Sequence, residues 1–157
     1  MPLIPLFLMF SGPAEAASNE LAVEVRGSGI SRSLSHYLTD VGVRGAQSGL
    51  GDSGIQVIQQ ADRLARATEL GAPEKCWDDE CKLDVARKME IGYLVTGLVK
   101  KRGTKEEFWY SFEVTLYKVG SGNILGSKSV SAPDLTQLRD AVKAETNRLV
   151  EGISPQE

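Results

Sequence analysis

Two cysteines, one histidine and a short acidic run hold most of the residues here that could do chemistry. Cys76 and Cys81 enclose Trp-Asp-Asp-Glu. If the chain is exported, so close a pair is read first as a disulfide and second as two free thiols. A metal pair would need two more soft ligands, and the only histidine, His36, lies far upstream. A redox pair has a shorter spacing than the four intervening residues found here. Closing such a short loop restrains the unfolded chain by only about 2 kcal/mol, so the bridge would pin a loop rather than hold up the fold.

Ser33, His36 and Asp40 supply the residue types of a small hydrolase: nucleophile, base and orienting carboxylate. Their spacing puts them on one helix, where neighbours three and four apart stabilise a surface but do not converge on a substrate. His36 is therefore expected to be an ordinary helix residue, and no enzyme is expected. Asp78, Asp79, Glu80 and Asp84 could be read as a calcium site, but neither their spacing nor the glycine placement matches a calcium loop. The first three sit where a helix N-terminus favours negative charge and a capping oxygen. Gly27-Ser28-Gly29 invites a phosphate loop, yet residue 32 is Arg where a dinucleotide fingerprint needs Gly, and no Gly-Lys-Ser/Thr run is present. A plain loop is expected there, and no cofactor is implied.

The elements that must position these residues fit within 157 residues, enough for one globular domain. With 41% hydrophobic and 25% charged residues, the chain is neither disordered nor collagen-like. A net charge of -3 leaves no global basic field, so nucleic acid is excluded as the expected partner.

Residues 21–25 alternate as a first strand, and Leu34, Tyr37, Leu38 and Val41 then mark one face of a helix. Glycines at 42, 45, 49, 51 and 54 read as a frayed helix end with a loop, or as a mobile excursion. A second strand over 55–59 precedes a helix over 62–70, with Leu64, Ala67 and Leu70 on one side. A further helix runs from the acidic cluster to about Glu90, presenting Leu83, Ala86 and Met89. Residues 91–99 are apolar on both faces and should form a central strand. Phe108, Tyr110, Phe112, Val114 and Leu116 alternate against Trp109, Ser111, Glu113, Thr115 and Tyr117, as in a half-buried strand. A turn at 120–123 leads to a weaker edge strand over 124–130. Asp134 and Gln137 cap a closing helix striped by Leu135, Leu138, Val142 and Leu149. The order β-α-β-α-α-β-β-β-α predicts an α/β (α+β) fold: one mixed sheet of about five strands with helices packed on it.

One patch stands out as a contact surface. Lys100, Lys101, Arg102 and Lys105 form the only basic cluster, read as a turn, and Trp109 and Tyr117 fall on the wet face of the strand that follows. Exposed aromatics beside basic residues suit an interface. Solvation alone would also explain the lysines.

At the N-terminus, residues 3–10 form an apolar run about half the length of the roughly 20 residues that span a bilayer. Ala14-Glu15-Ala16 follows, a small-x-small triplet of the kind signal peptidase cuts, although no Lys or Arg precedes the run. Residues 1–16 are expected to be a signal peptide and residues 17–157 a single exported domain. No transmembrane segment and no lipid-anchoring Cys are expected in the mature chain.

From Cys76 to Val119 the order is Cys, acidic residues, Cys, helix, Ile91-Gly-Tyr-Leu-Val-Thr-Gly-Leu-Val99, hairpin, and an aromatic strand ending Leu116-Tyr-Lys-Val-Gly-Ser-Gly122. This resembles exported proteins related to the amino-terminal domain of TolB and to curli-secretion lipoprotein domains. The earlier strand, helix and strand extend the resemblance over about residues 20–151. It departs from the pattern at Ile91-Gly92, where alanine-aspartate is usual. The resemblance implies a non-enzymatic protein-binding or assembly module of a bacterial envelope complex, periplasmic or associated with the outer membrane, with envelope proteins as partners. An activator of cell-wall synthesis would share the fold and differ in partner.

Overall fold

The computed structural model describes residues 18–72, 76 and 78–153. The expected signal segment, residues 1–16, lies outside them. The chain runs β1 (Glu20–Ser28), α1 (Arg32–Leu50), β2 (Gln56–Val57), α2 (Gln60–Glu69), α3 (Asp79–Lys88), β3 (Tyr93–Gly103), β4 (Phe108–Lys118), β5 (Asn123–Ala132) and α4 (Leu135–Glu151). This is the order read from the sequence. The strands form one sheet in the order β2-β1-β3-β4-β5, parallel on the β2-β1-β3 side and antiparallel from β3 to β5. β3 is the central strand, as its two apolar faces demand, and β5 is an edge.

The period-two pattern sends Val23, Val25, Val95, Val99, Phe112, Val114 and Leu116 to one face. There they meet Leu38, Val41, Ala46, Leu138, Val142 and Val150 of α1 and α4 in the larger core. Both helices are capped locally: Ser31 Oγ accepts from Leu34 N at 3.1 Å, and Asp134 Oδ1 accepts from Gln137 N at 2.8 Å.

The glycine-rich stretch is a correction. It is not a frayed end: α1 continues through Leu50, with Gly42 and Gly45 buried. A Cβ on Gly42 would come within 2.9 Å of Val23 Cγ1, and one on Gly45 or Gly49 would land on the carbonyl oxygen of Lys143 or Asn147 in α4. The glycines let α1 seat closely against both sheet and neighbouring helix, so packing overrides their poor helix propensity. Only the last of the series, Gly51 and Gly54, lie in the loop, both at positive φ.

Other expectations shift with tertiary cover. β2 is two residues long, and α2 buries only Gln60, leaving Leu64 and Leu70 exposed. Tyr37 and Leu135 are exposed rather than part of their helical stripes. β3 runs on to Gly103, so Lys100, Lys101 and Arg102 lie in a strand and not in a turn. The reversal falls at 104–107, where Thr104 N donates to Glu107 O at 2.8 Å.

The helix contact makes a prediction whose sign is diagnostic. At an exposed helical site Gly→Ala stabilises by about 1 kcal/mol. Gly45→Ala should instead destabilise by about 1–3 kcal/mol, because a methyl group there forces α4 away from α1. Denaturant melts of the variant decide between the two.

Candidate interaction surface

The second face of the sheet is covered over only part of its length. α3 sits on it through Leu83 and Ala86, which meet Ala22, Ile58, Ile91, Leu94, Tyr117 and Val119 in a smaller core. Cys76 and Cys81 are bonded at the start of this helix, with Cα atoms 5.5 Å apart. Asp78 caps it, its Oδ1 accepting from Cys81 N at 2.7 Å. Asp79 turns inward and accepts from Thr96 Oγ1 at 3.3 Å and from the Tyr117 hydroxyl. Asp84 pairs with Arg87 at 2.8 Å. The acidic run thus serves capping and anchoring, and among the described residues no group of His, Cys, Asp and Glu could hold a metal ion.

Tyr117 is a correction. Alternation places it on the same face as Trp109, but α3 covers that end, and Tyr117 is only 9% exposed. It belongs to the core and not to a contact surface. Burial first, and the Asp79 carboxylate second, push its hydroxyl from the ordinary 10.0 up to about 12.

Charged groups continue this bracket. Glu24 of β1 takes Lys82 of α3 at 3.3 Å and Arg63 of α2 at 3.4 Å. Glu20 holds Arg66 at 2.9 Å. The Lys82 ammonium is almost fully buried, and desolvation holds its pKa below the ordinary lysine value although Glu24 pulls the other way. A charge buried this deeply needs its partner, so the pairs fix where α2 and α3 sit. None of these residues stands out in sequence, since a lysine on a short amphipathic helix reads as solvated.

Beyond α3 no described helix covers the face. Its side chains form cross-strand rows: Arg26, Leu98, Glu113 and Ser129; Ser28, Lys100, Ser111 and Ser131; and the pair Arg102–Trp109. A shallow groove of about 280 Å³ crosses Leu98, Lys100, Arg102, Ser111 and Ser129. At its end Trp109 is 46% exposed. Its ring lies close to Gly103, which has a φ of 93° and whose Cβ, if present, would come within 3.1 Å of Trp109 Cζ3. Arg102 Nε lies 3.5 Å from Ser111 Oγ.

The pleat divides the basic cluster read from the sequence. Lys100 and Arg102 join Trp109 on the open face, whereas Lys101 points to the helix side with Nζ 4.0 Å above the Phe108 ring. Phe108, expected in the core, is 39% exposed at the outer end of β4. Lys105 lies exposed in the turn beside Glu106 and Glu107, outside the strand that carries Lys100 and Arg102. Ser33, His36 and Asp40 are all exposed on α1 and do not converge. Gly27 and Ser28 belong to β1 rather than to a loop.

No family model and no curated protein matches the chain. Its spatial relatives are clear nonetheless. The C-terminal domain of LpoB from Salmonella enterica superposes with a TM-score of 0.54 at 15% identity, covering 74% of this chain and 84% of that one. The chain shares that fold. PelC from Paraburkholderia phytofirmans, solved as a dodecamer, gives a TM-score of 0.52 at 15% identity over 91% of this chain and 95% of that one. Lipoprotein GNA1162 from Neisseria meningitidis gives 0.52 at 15% identity over 86% and 98%. The architecture implied by the resemblance in sequence is therefore the architecture found. No helix among the described residues is long and apolar enough to cross a membrane.

The Tyr117–Asp79 contact has a pH signature. The folded-state pKa lies above the unfolded value, so the stabilisation is complete below about pH 10 and is lost as pH rises through about 12. Tyr117→Phe should cost about 1.5–3 kcal/mol near neutrality, the worth of a hydrogen bond to a charged group. It should also remove the highest-pH step from the phenolate absorbance titration. A titration unchanged by the substitution would contradict the assignment.

Proposed function

We propose that the chain is a non-enzymatic docking module of a bacterial envelope complex, exported by residues 1–16 and working in the periplasm or at the outer membrane. The observation that carries this reading is the open end of the sheet, where a strand holds Trp109 46% exposed beside Arg102. Tryptophan and arginine on a rigid element are the residues that anchor protein interfaces. The fold shared with Lipoprotein GNA1162 supports the envelope as the setting. The placement of Ser33, His36 and Asp40 on one helix, all solvent-exposed, argues against the hydrolase reading. An activator of cell-wall synthesis is the narrower form of the same proposal, with a synthetic enzyme as the partner.

Trp109→Ala should leave stability within about 0.5 kcal/mol, as for exposed positions, while weakening partner binding by about 2 kcal/mol or more. The direct test places a photoreactive phenylalanine analogue at position 109 in cells that make the protein and identifies the cross-linked product by mass spectrometry. Leu70, 47% exposed at the C-cap of α2, is the control position. A discrete adduct at 109 and none at 70 is expected. Equal adducts at both, or a large loss of melting temperature in Trp109→Ala, would overturn the reading.

A further inference from the structure

We propose that the segment docking on the open sheet face is an acidic stretch of a protein partner lying extended along β3, between its neighbours β1 and β4. The inference deepens the docking proposal and rests on it. The chain as a whole carries a net charge of -3, yet this face presents Arg26, Lys100 and Arg102 against one outward carboxylate, Glu113. Among the described residues none of these three cations has an ion-pair partner: every salt bridge in the domain involves other residues. Glu24, two residues before Arg26 on the same face of β1, is already shared by Lys82 and Arg63, and Asp79 is engaged by Thr96 and Tyr117. Positive charge is thus concentrated on one patch of an acidic protein, the arrangement that steers an oppositely charged partner.

Geometry narrows the shape of the ligand. Lys100 and Arg102 are two residues apart on one strand and so project in parallel about 6.6 Å apart. That is also the spacing of alternate side chains on an extended peptide, so carboxylates at every second position can meet both. Ser111, Ser129 and Ser131 beside them supply hydroxyl donors, and half-buried Leu98 offers one apolar contact between the charged rows. Trp109 closes the end of the track.

The test uses the purified chain and a fluorescent peptide that alternates Glu with Ser and Thr, with a Lys-for-Glu peptide and phosphatidylglycerol-containing vesicles as competing probes. The Glu peptide should bind, the Lys peptide should not, and affinity should fall as salt screens the contact. Arg26→Glu with Lys100→Glu should weaken binding about tenfold or more. The same number of reversals at exposed Arg44 and Lys128, off this face, should change it less than about twofold. If the double variant does not fold, Arg102→Glu at an exposed position carries the comparison. No binding of the Glu peptide, equal binding of both peptides, or an equal effect of the control pair overturns the proposal. So does tighter binding to vesicles with the same dependence on Arg26 and Lys100, which would assign the face to a lipid surface. The cross-link at position 109 separates the two proposals. An adduct that survives Arg26→Glu with Lys100→Glu leaves the docking role standing and removes the acidic partner, whereas absence of any adduct in the parent chain removes the docking role itself.

Discussion

The close approach of α1 to α4 is the contact on which the rest of the molecule depends. Gly42 clears the side chain of Val23 on β1, while Gly45 and Gly49 clear the backbone of α4 at Lys143 and Asn147. Without Cβ atoms at these points the helices can lie side by side over β1, β3 and β4, and together they bury Phe112, Val95, Val99 and Val114 almost completely. Dense packing of this kind tolerates little added volume. The cost is the conformational freedom of three glycines in a helix, offset by a continuous core that no wider helix pair could close.

With one face committed to α1 and α4, the short helices α2 and α3 are what the described residues offer for the other. α3 contributes few apolar groups, and polar and charged contacts complete its attachment: Asp79 to Tyr117 and Thr96, and Lys82 to Glu24. These contacts are geometrically exacting because each buried group must find its partner. Among the described residues they leave the far half of the face uncovered, where the outward residues are mostly charged or hydroxyl-bearing, with Leu98 and Trp109 between them. Among the described residues the open surface therefore follows from the shortness of α2 and α3, and its charge is what the docking proposal rests on.

Element order, the central position of β3, the edge position of β5 and the caps at Asp78 and Asp134 were legible in the sequence, since each depends on local pattern alone. What the pattern could not reveal was cover. Alternation rightly put Trp109 and Tyr117 on one face, but only the path of α3 decides that Tyr117 is buried and Trp109 is not. The glycines of α1 read as breakers because propensity carries no knowledge of a neighbouring helix. Lys100 to Arg102 read as a turn because basic residues near a glycine look solvated, although a strand can carry them with their heads in water. The pairing of Glu24 with Lys82 joins residues distant in sequence, and no local signal announces it.

Oxidative footprinting of Trp109 against Tyr117 tests the account most directly, because one measurement reads both the half-covered sheet and its proposed use. In the isolated chain Trp109 should be modified readily and Tyr117 hardly at all. In the native envelope Trp109 should become protected while Tyr117 is unchanged. Equal modification of Trp109 in both settings, or rapid modification of Tyr117 in the isolated chain, would contradict it.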